Sequence, residues 1–452
     1  MKLFPTSLHL ATLCLVTSLA PFAQAAVSAD EAAKLKTELT PFGAEKAGNK
    51  AGTIPAWTGG YTTPMPGFVN GGKRGDPFAK EKPLYSVTAK NMAEHADKLT
   101  DGLQALLKKY PDTFRIDVYP THRTAAAPQW VYDNTAKNAT RAKVDNDKLT
   151  GAFGGIPFPI PKTGEEAMWN HTLRWRSPAW HVNFTGMQVT AAGKQVVTVL
   201  GSGDFQMPYY DKNGSADKFD GNFWNIRLIN QGPPIRAGEG IVGRQNVDQD
   251  KTQVWVYLAG QRRTRKLPNG CCDTPTPASA GVSNFDQTDV FDGRMDRFDW
   301  KIIGKKEMLI PYNENRQLQR GIKDVLLAHH INPDDARYEL HRVWVIEATL
   351  KAGQRHVQPK RRFYLDEDTW IAVLGDHWDA RGQLWQMGFA SPIVMPDVPA
   401  TTSPQNFGFY DLISGAWYMG GMLNDQAEQF KASMNYADTT FTPEAMAGEG
   451  IR

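Results

Sequence analysis

The sequence predicts a β-rich α+β protein built on one large curved antiparallel sheet, partly covered by helices and preceded by a helical and irregular wrap. Three observations carry this reading. Strand-length runs of alternating or apolar residues recur at 185–190, 195–200, 222–229, 253–258, 298–307, 341–350, 361–365, 370–376 and 383–390. No strand–helix–strand alternation separates them, which excludes a doubly wound sheet. The last three runs are joined by short polar turns, Asp366-Glu367-Asp368 and 378–382, the signature of an antiparallel meander.

The chain has 452 residues, enough for a full hydrophobic core. With 51 basic and 48 acidic residues its net charge is +3, so bulk charge gives no sign of a nucleic-acid partner. An apolar content of 41% argues against disorder. In chain order, Lys2, the apolar stretch 8–20 and Ala23-Gln24-Ala25 read as a secretory signal over 1–25, cleaved after Ala25. The expected location is the periplasm. No later apolar run is long enough for a transmembrane segment in the mature chain.

The wrap is expected over 26–150. It starts with the capping box Ser28-x-x-Glu31, continues through a Gly- and Pro-rich loop at 48–82, and carries helical segments at 88–99, 102–110 and 136–148. The β domain is expected over 151–391. It opens with the strap 154–163, whose Pro157, Pro159 and Pro161 cannot donate ladder hydrogen bonds, followed by a short helix at 165–171. The remainder, 392–452, reads as an irregular tail with a short helix at 425–434.

Motifs for chemistry are sparse. Asn246-x-Asp248-x-Asp250 begins like a calcium loop, but Lys251 replaces the turn glycine. Cys271 and Cys272 are adjacent, which permits a vicinal disulfide or two free thiols, and no His or Cys stands at metal-site spacing beside them. No metal and no cofactor is expected. Glu165, Glu166, His171 and Asp376 would be the acid and base groups of a hydrolase, although carboxylates in a first helical turn commonly serve the helix dipole.

The stretch TQVWVYLAGQRRTRKL, 252–267, suggests binding instead. Trp255 and Tyr257 alternate with Val254 and Val256, so one set must face inward, and alternation alone leaves open which. The aromatics Trp255, Tyr257, Trp344, Trp370 and Trp385 are candidates to line an apolar cavity, with Arg262, Arg263 and Arg361 at its mouth for an anionic head group. The expected ligand is a lipid or other hydrophobic small molecule.

Several strings are family marks: LTPFGAEKAGNKAGTIPAWTGG at 39–60, VYPTHRTAA at 118–126, GGIPFPIPKTGEEAMWNH at 154–171, WVYLAGQRRTRKLP at 255–268 and RRFYLDEDTW at 361–370. On these the chain resembles a proteobacterial family of unknown function, often labelled outer-membrane lipoprotein-sorting-like, over nearly all of the mature sequence. The resemblance implies a likeness to LolA/LolB carriers, incomplete antiparallel barrels closed by helices around acyl chains. It also implies an RND-type exporter or outer-membrane protein as partner, and no catalytic residues. A periplasmic hydrolase of envelope glycan or ester and a structural adaptor of an export complex are the alternatives.

Overall fold

The computed structural model describes residues 27–145, 147–267, 272–403 and 406–449. The expected signal segment and Cys271 lie outside them. Sixteen strands form one sheet. In chain order they are β1 (Tyr85–Val87), β2 (Ile116–Val118), β3 (Ala179–Val189), β4 (Gln195–Gln206), β5 (Asn222–Gly232), β6 (Gly240–Asn246), β7 (Gln253–Leu258) and β8 (Arg263–Lys266). There follow β9 (Phe298–Pro311), β10 (Tyr338–Leu350), β11 (Lys360–Asp366), β12 (Ala372–Trp378), β13 (Leu384–Ala390), β14 (Phe407–Asp411), β15 (Trp417–Met422) and β16 (Phe430–Ala432).

The spatial order is β1-β2-β10-β11-β12-β13-β14-β15-β3-β4-β5-β6-β7-β8, with β9 also on β10 and β16 on β3. Neighbours are antiparallel, apart from a single parallel contact of β2 with β10 at Val118 and Tyr338. The order does not return on itself, so the sheet is open. The meander β11-β12-β13 is as expected. Strand β6 was not, because Gly240, Gly243 and the polar end Arg244-Gln245-Asn246 hide its alternation. The tail also differs from expectation. Instead of a helix at 425–434 it supplies β14, β15 and β16, which complete the middle of the sheet, and a helix only at Pro443–Glu449. Their apolar runs are short and Gly-interrupted, so their strand character comes from pairing with β13 and β3.

The sheet curves, and one segment shows how far. Val290 lies against β12, where a Cβ on Gly375 would come within 3.2 Å of its Cγ1. Two residues on, Asp292 accepts a hydrogen bond from Gln245 of β6 at 2.8 Å. Strands β12 and β6 are seven places apart, roughly 34 Å on a flat sheet at about 4.8 Å per strand. Two residues of chain span about 7 Å at most. Both contacts are possible only if the sheet bends around the segment 272–297, which fills its inner side as a plug.

Buried ion pairs seat this plug. Asp286 accepts from Arg361 of β11 at 2.6 Å and pairs with His356 at 3.0 Å. Asp289 pairs with Arg174 and, at 2.9 Å, with Arg176, whose guanidinium lies over the Trp224 ring of β5. The helix Gly164–Thr172 lies beside the plug. Thr163 caps it by accepting from the Glu166 N–H, and the Glu166 carboxylate reaches back to the Lys162 N–H. Asn170 clamps the proline strap by bonding both the N–H and the carbonyl of Phe158.

Two helices cover parts of the outer face. The helix Asp101–Lys109, capped by Thr100, buries Leu103, Leu106 and Leu107 over β12 and β13. The helix Pro443–Glu449 covers β6, β7 and β8. In the wrap, the expected helix at 136–148 runs instead over Gln129–Arg141, entered from Pro128, and is followed by a small hairpin of Lys143–Asp145 with Lys148–Thr150.

Replacing Asp286 by Asn leaves Arg361 and His356 buried without their anion. The expected cost is about 3 kcal/mol of unfolding free energy, measurable by denaturant titration. A loss within error of zero would show that the plug does not depend on this pair.

Candidate ligand-binding face

Register settles which side of β7 faces inward. Trp255 pairs with Val242 and Tyr257 with Gly240. A Cβ on Gly240 would meet Met446 of the C-terminal helix at 2.8 Å. Val242, Tyr257, Phe441 and Met446 form a small buried cluster with Trp255 packed on it. The aromatic set therefore faces outward and is already covered, which corrects the expectation that Trp255 and Tyr257 line an internal cavity. The reason is the C-terminal helix, which needs an apolar seat and takes the wider rings.

Val254, Val256 and Leu258 share the other side with Gln245, the residue that touches the plug. They face inward. Following the register across the sheet, Leu228 of β5, Ile241 of β6, Val256 of β7 and Arg265 of β8 form one row on this inner side. Ile226, Gly243 and Val254 form the adjacent row, and Leu258 stands opposite Arg263. Ile241, Val254, Val256 and Leu258 are half-buried, while Arg263 and Arg265 are exposed. The plug meets the Gln245 end of β6 through Asp292 and the turn that follows through Gly293. The result is an aliphatic stripe on the concave side, bordered by two arginines on an edge strand.

The other sequence-predicted residues do not join this stripe. Trp344 stacks on Trp370 at 6.0 Å, with Lys305 over its ring. Trp370 is fully buried and donates its indole N–H to the Phe42 carbonyl, tying the wrap to the turn after β11. Trp385 bonds Asp411 at 3.2 Å. Arg262 is exposed in a left-handed turn beside Arg263. Arg361 is not at a mouth: it is completely buried on Asp286 and anchors the plug, because an inward-facing cation in a filled interior needs an anion. Ile241 and Arg265 were missed. Ile241 lies on the unexpected strand β6, and Arg265 could be told from its basic neighbours only by register.

The acid and base candidates each have a local use and do not converge. His171 is fully buried, accepts from the Ala372 N–H through Nδ1, and lies with Nε2 3.0 Å from the Phe291 carbonyl. Burial, helped by Arg174, pushes its pKa down to about 3, so it is neutral. Glu166 is spent on Lys162. Glu165 is raised to about 7, mainly by burial. Asp376 is on the outer side under the helix Asp101–Lys109, accepting from the Gly102 N–H at 3.0 Å and the Tyr364 hydroxyl at 3.0 Å. Elsewhere among the described residues, His341, Asp366 and Asp368 bring three ligand atoms within 4.8 Å of one another. Cys272 is disulfide-bonded. No helix of the described residues is long and apolar enough to cross a membrane.

An open antiparallel sheet wrapped on an internal plug, with a half-buried aliphatic inner stripe, defines the class of incomplete barrels. The chain belongs to the family described as protein of unknown function (DUF1329), whose model matches residues 86–447. It is 39% identical over 467 residues to an uncharacterized protein of Pseudomonas aeruginosa, covering 100% of both chains. Among solved structures it is similar to a DUF1329 family protein from Desulfovibrio piger, with TM-score 0.38 and 12% identity over 60% of this chain and 92% of that one. It is also similar to a LolA superfamily protein from Nitrosomonas europaea, with TM-score 0.37 and 10% identity over 63% and 100%.

Burial raises the Asp376 pKa to about 7, from an ordinary value of 3.8, with Asp101 adding to the rise. The neutral carboxyl thus belongs to the folded state. Its contribution is full below about pH 4 and is lost as pH rises toward 7. Asp376→Asn should be more stable than the parent at pH 8 and indistinguishable from it at pH 4, by thermal unfolding at both. Equal effects at the two values would contradict the assignment.

Proposed function

We propose that the protein is a periplasmic binding protein or carrier for a hydrophobic or amphiphilic molecule, most simply an acyl lipid. The observation that carries this is the half-buried inner stripe of Leu228, Ile241, Val254, Val256 and Leu258, which borders Arg263 and Arg265. An alkyl chain laid on it gains about 0.8 kcal/mol per buried methylene, so binding needs no covalent step. The two arginines on the rim supply charge-assisted hydrogen bonds to a carboxylate or phosphate head group. The edge strand gives such a ligand a way in from the side. Service to an RND-type exporter or an outer-membrane protein is the transport role this reading favours.

The test is titration of the mature protein with a fluorescent fatty acid. Saturable binding is expected, weakened about tenfold or more by Val256→Asp and by the pair Arg263→Glu with Arg265→Glu, while Trp255→Ala acts only through stability. Absence of saturable binding, or binding indifferent to both inner-side changes in folded variants, would overturn the proposal. A structural adaptor would give that negative result.

Export is tested separately. Protein from the periplasmic fraction should begin at Ala26 on N-terminal sequencing, and a retained Met1 or a cytoplasmic majority would contradict the signal assigned to 1–25.

A further inference from the structure

We propose a structural site for a divalent transition-metal ion, with zinc as the first candidate, held by His341, Asp366 and Asp368. All three are buried, at 1%, 0% and 3% exposure. His341 comes from β10, and the two aspartates from the turn between β11 and β12.

Each ligand residue is held in place by a hydrogen-bonding partner. The His341 Nε2 lies 3.0 Å from Glu339 Oε2, and in the neutral tautomer that gives its proton to this carboxylate the Nδ1 atom is the one offered to a metal. Asp366 Oδ2 accepts from the Thr369 N–H at 2.9 Å and hydroxyl at 2.6 Å. Asp368 is held by Arg123, Nη2 to Oδ1 at 2.7 Å and Nε to Oδ2 at 2.8 Å. This is the outer-shell pattern that positions a metal-binding imidazole and carboxylates.

A bound cation would satisfy what remains. Asp366 Oδ1 is buried with no hydrogen-bond partner and sits 3.8 Å from His341 Nδ1. That separation is too long for a normal hydrogen bond between the two, and a buried carboxylate oxygen is costly to leave unpaired. A zinc ion bonds nitrogen and carboxylate oxygen at about 2.0–2.2 Å, so two ligand atoms 3.8 Å apart fit around one ion. The third ligand atom lies within 4.8 Å of the others, against about 3.4 Å between neighbouring ligands of a tetrahedral zinc, so it moves inward by up to about 1.4 Å on binding. A second orphan stands beside the group: the Tyr312 ring is 4.0 Å from the His341 ring, and its hydroxyl is buried without a partner. Glu367, the remaining acid of the turn, is occupied by Lys305 at 2.9 Å and Arg342 at 3.3 Å. Mixed imidazole and carboxylate donors suit zinc or manganese better than calcium.

The ion would pin Arg123, and with it the wrap, to the turn below the sheet. The experiment uses the full mature chain purified without chelator. Elemental analysis should find about one equivalent of metal, predominantly zinc. After EDTA treatment, zinc at about a hundred times its dissociation constant should raise the unfolding midpoint by about 3 °C. Asp366→Asn, which can still accept from Thr369, and His341→Gln should abolish both the stoichiometric metal and the shift. A parent protein with no retained metal and no zinc-dependent shift overturns the site. So does zinc held equally by both variants, or a proton shared by His341 and Asp366, which would leave the midpoint insensitive to zinc and chelator.

Discussion

The architecture depends on buried ion pairs between the plug and the inner face of the sheet. Asp286 meets Arg361 and His356, and Asp289 meets Arg174 and Arg176. Buried pairs of this kind add little net stability over an apolar core, since desolvation offsets most of the Coulomb attraction. What they supply is position. A carboxylate in a dry interior has few acceptable seats, so each aspartate fixes the plug against one region of the sheet. With Asp286 bound to β11 and Asp289 bound through Arg176 beside Trp224 of β5, strands distant in the sheet order are drawn around one segment.

Filling the interior in this way shifts where a ligand can sit. In a barrel with an empty core, the largest rings would be expected to line the cavity. Here the centre is occupied by Val290, Phe291, Phe363 and their neighbours, with Phe291 against Phe363 at 5.4 Å. On the far side the plug meets β6 through Asp292, and the sheet runs on through β7 to its edge at β8. A binding surface at an open edge is reached without moving the core, and its cationic rim follows from the arginines of β8.

The wrap is bound by polar anchors more than by a core of its own. Arg123 grips Asp368 and the carbonyl of Glu45, and Trp370 bonds the carbonyl of Phe42. These contacts converge on the turn Asp366–Trp370, where Trp370 adopts a left-handed backbone (φ 62°) that a bulky residue rarely takes. That strain is held by the Asp366–Thr369 bonds and by complete burial of the indole. The string RRFYLDEDTW is thus a strand, its turn and the seat of the wrap together.

The sequence alone determined the β-rich class, the meander β11-β12-β13, the proline strap with its short helix and the family. Those features are written in local period, turn chemistry and diagnostic strings. It also determined that β7 has two apolar faces, but the choice between them was made by the C-terminal helix, far away in the chain, which covers Trp255 and Tyr257. Tertiary structure likewise decided that Arg361 is an anchor, since only the path of the plug brings Asp286 to it. The inner stripe and the group His341, Asp366 and Asp368 draw residues from different strands, related by register and turn geometry that local periodicity does not encode. The strands of the tail were hidden for the same reason: their short, Gly-interrupted runs become strands because β13 and β3 offer them partners.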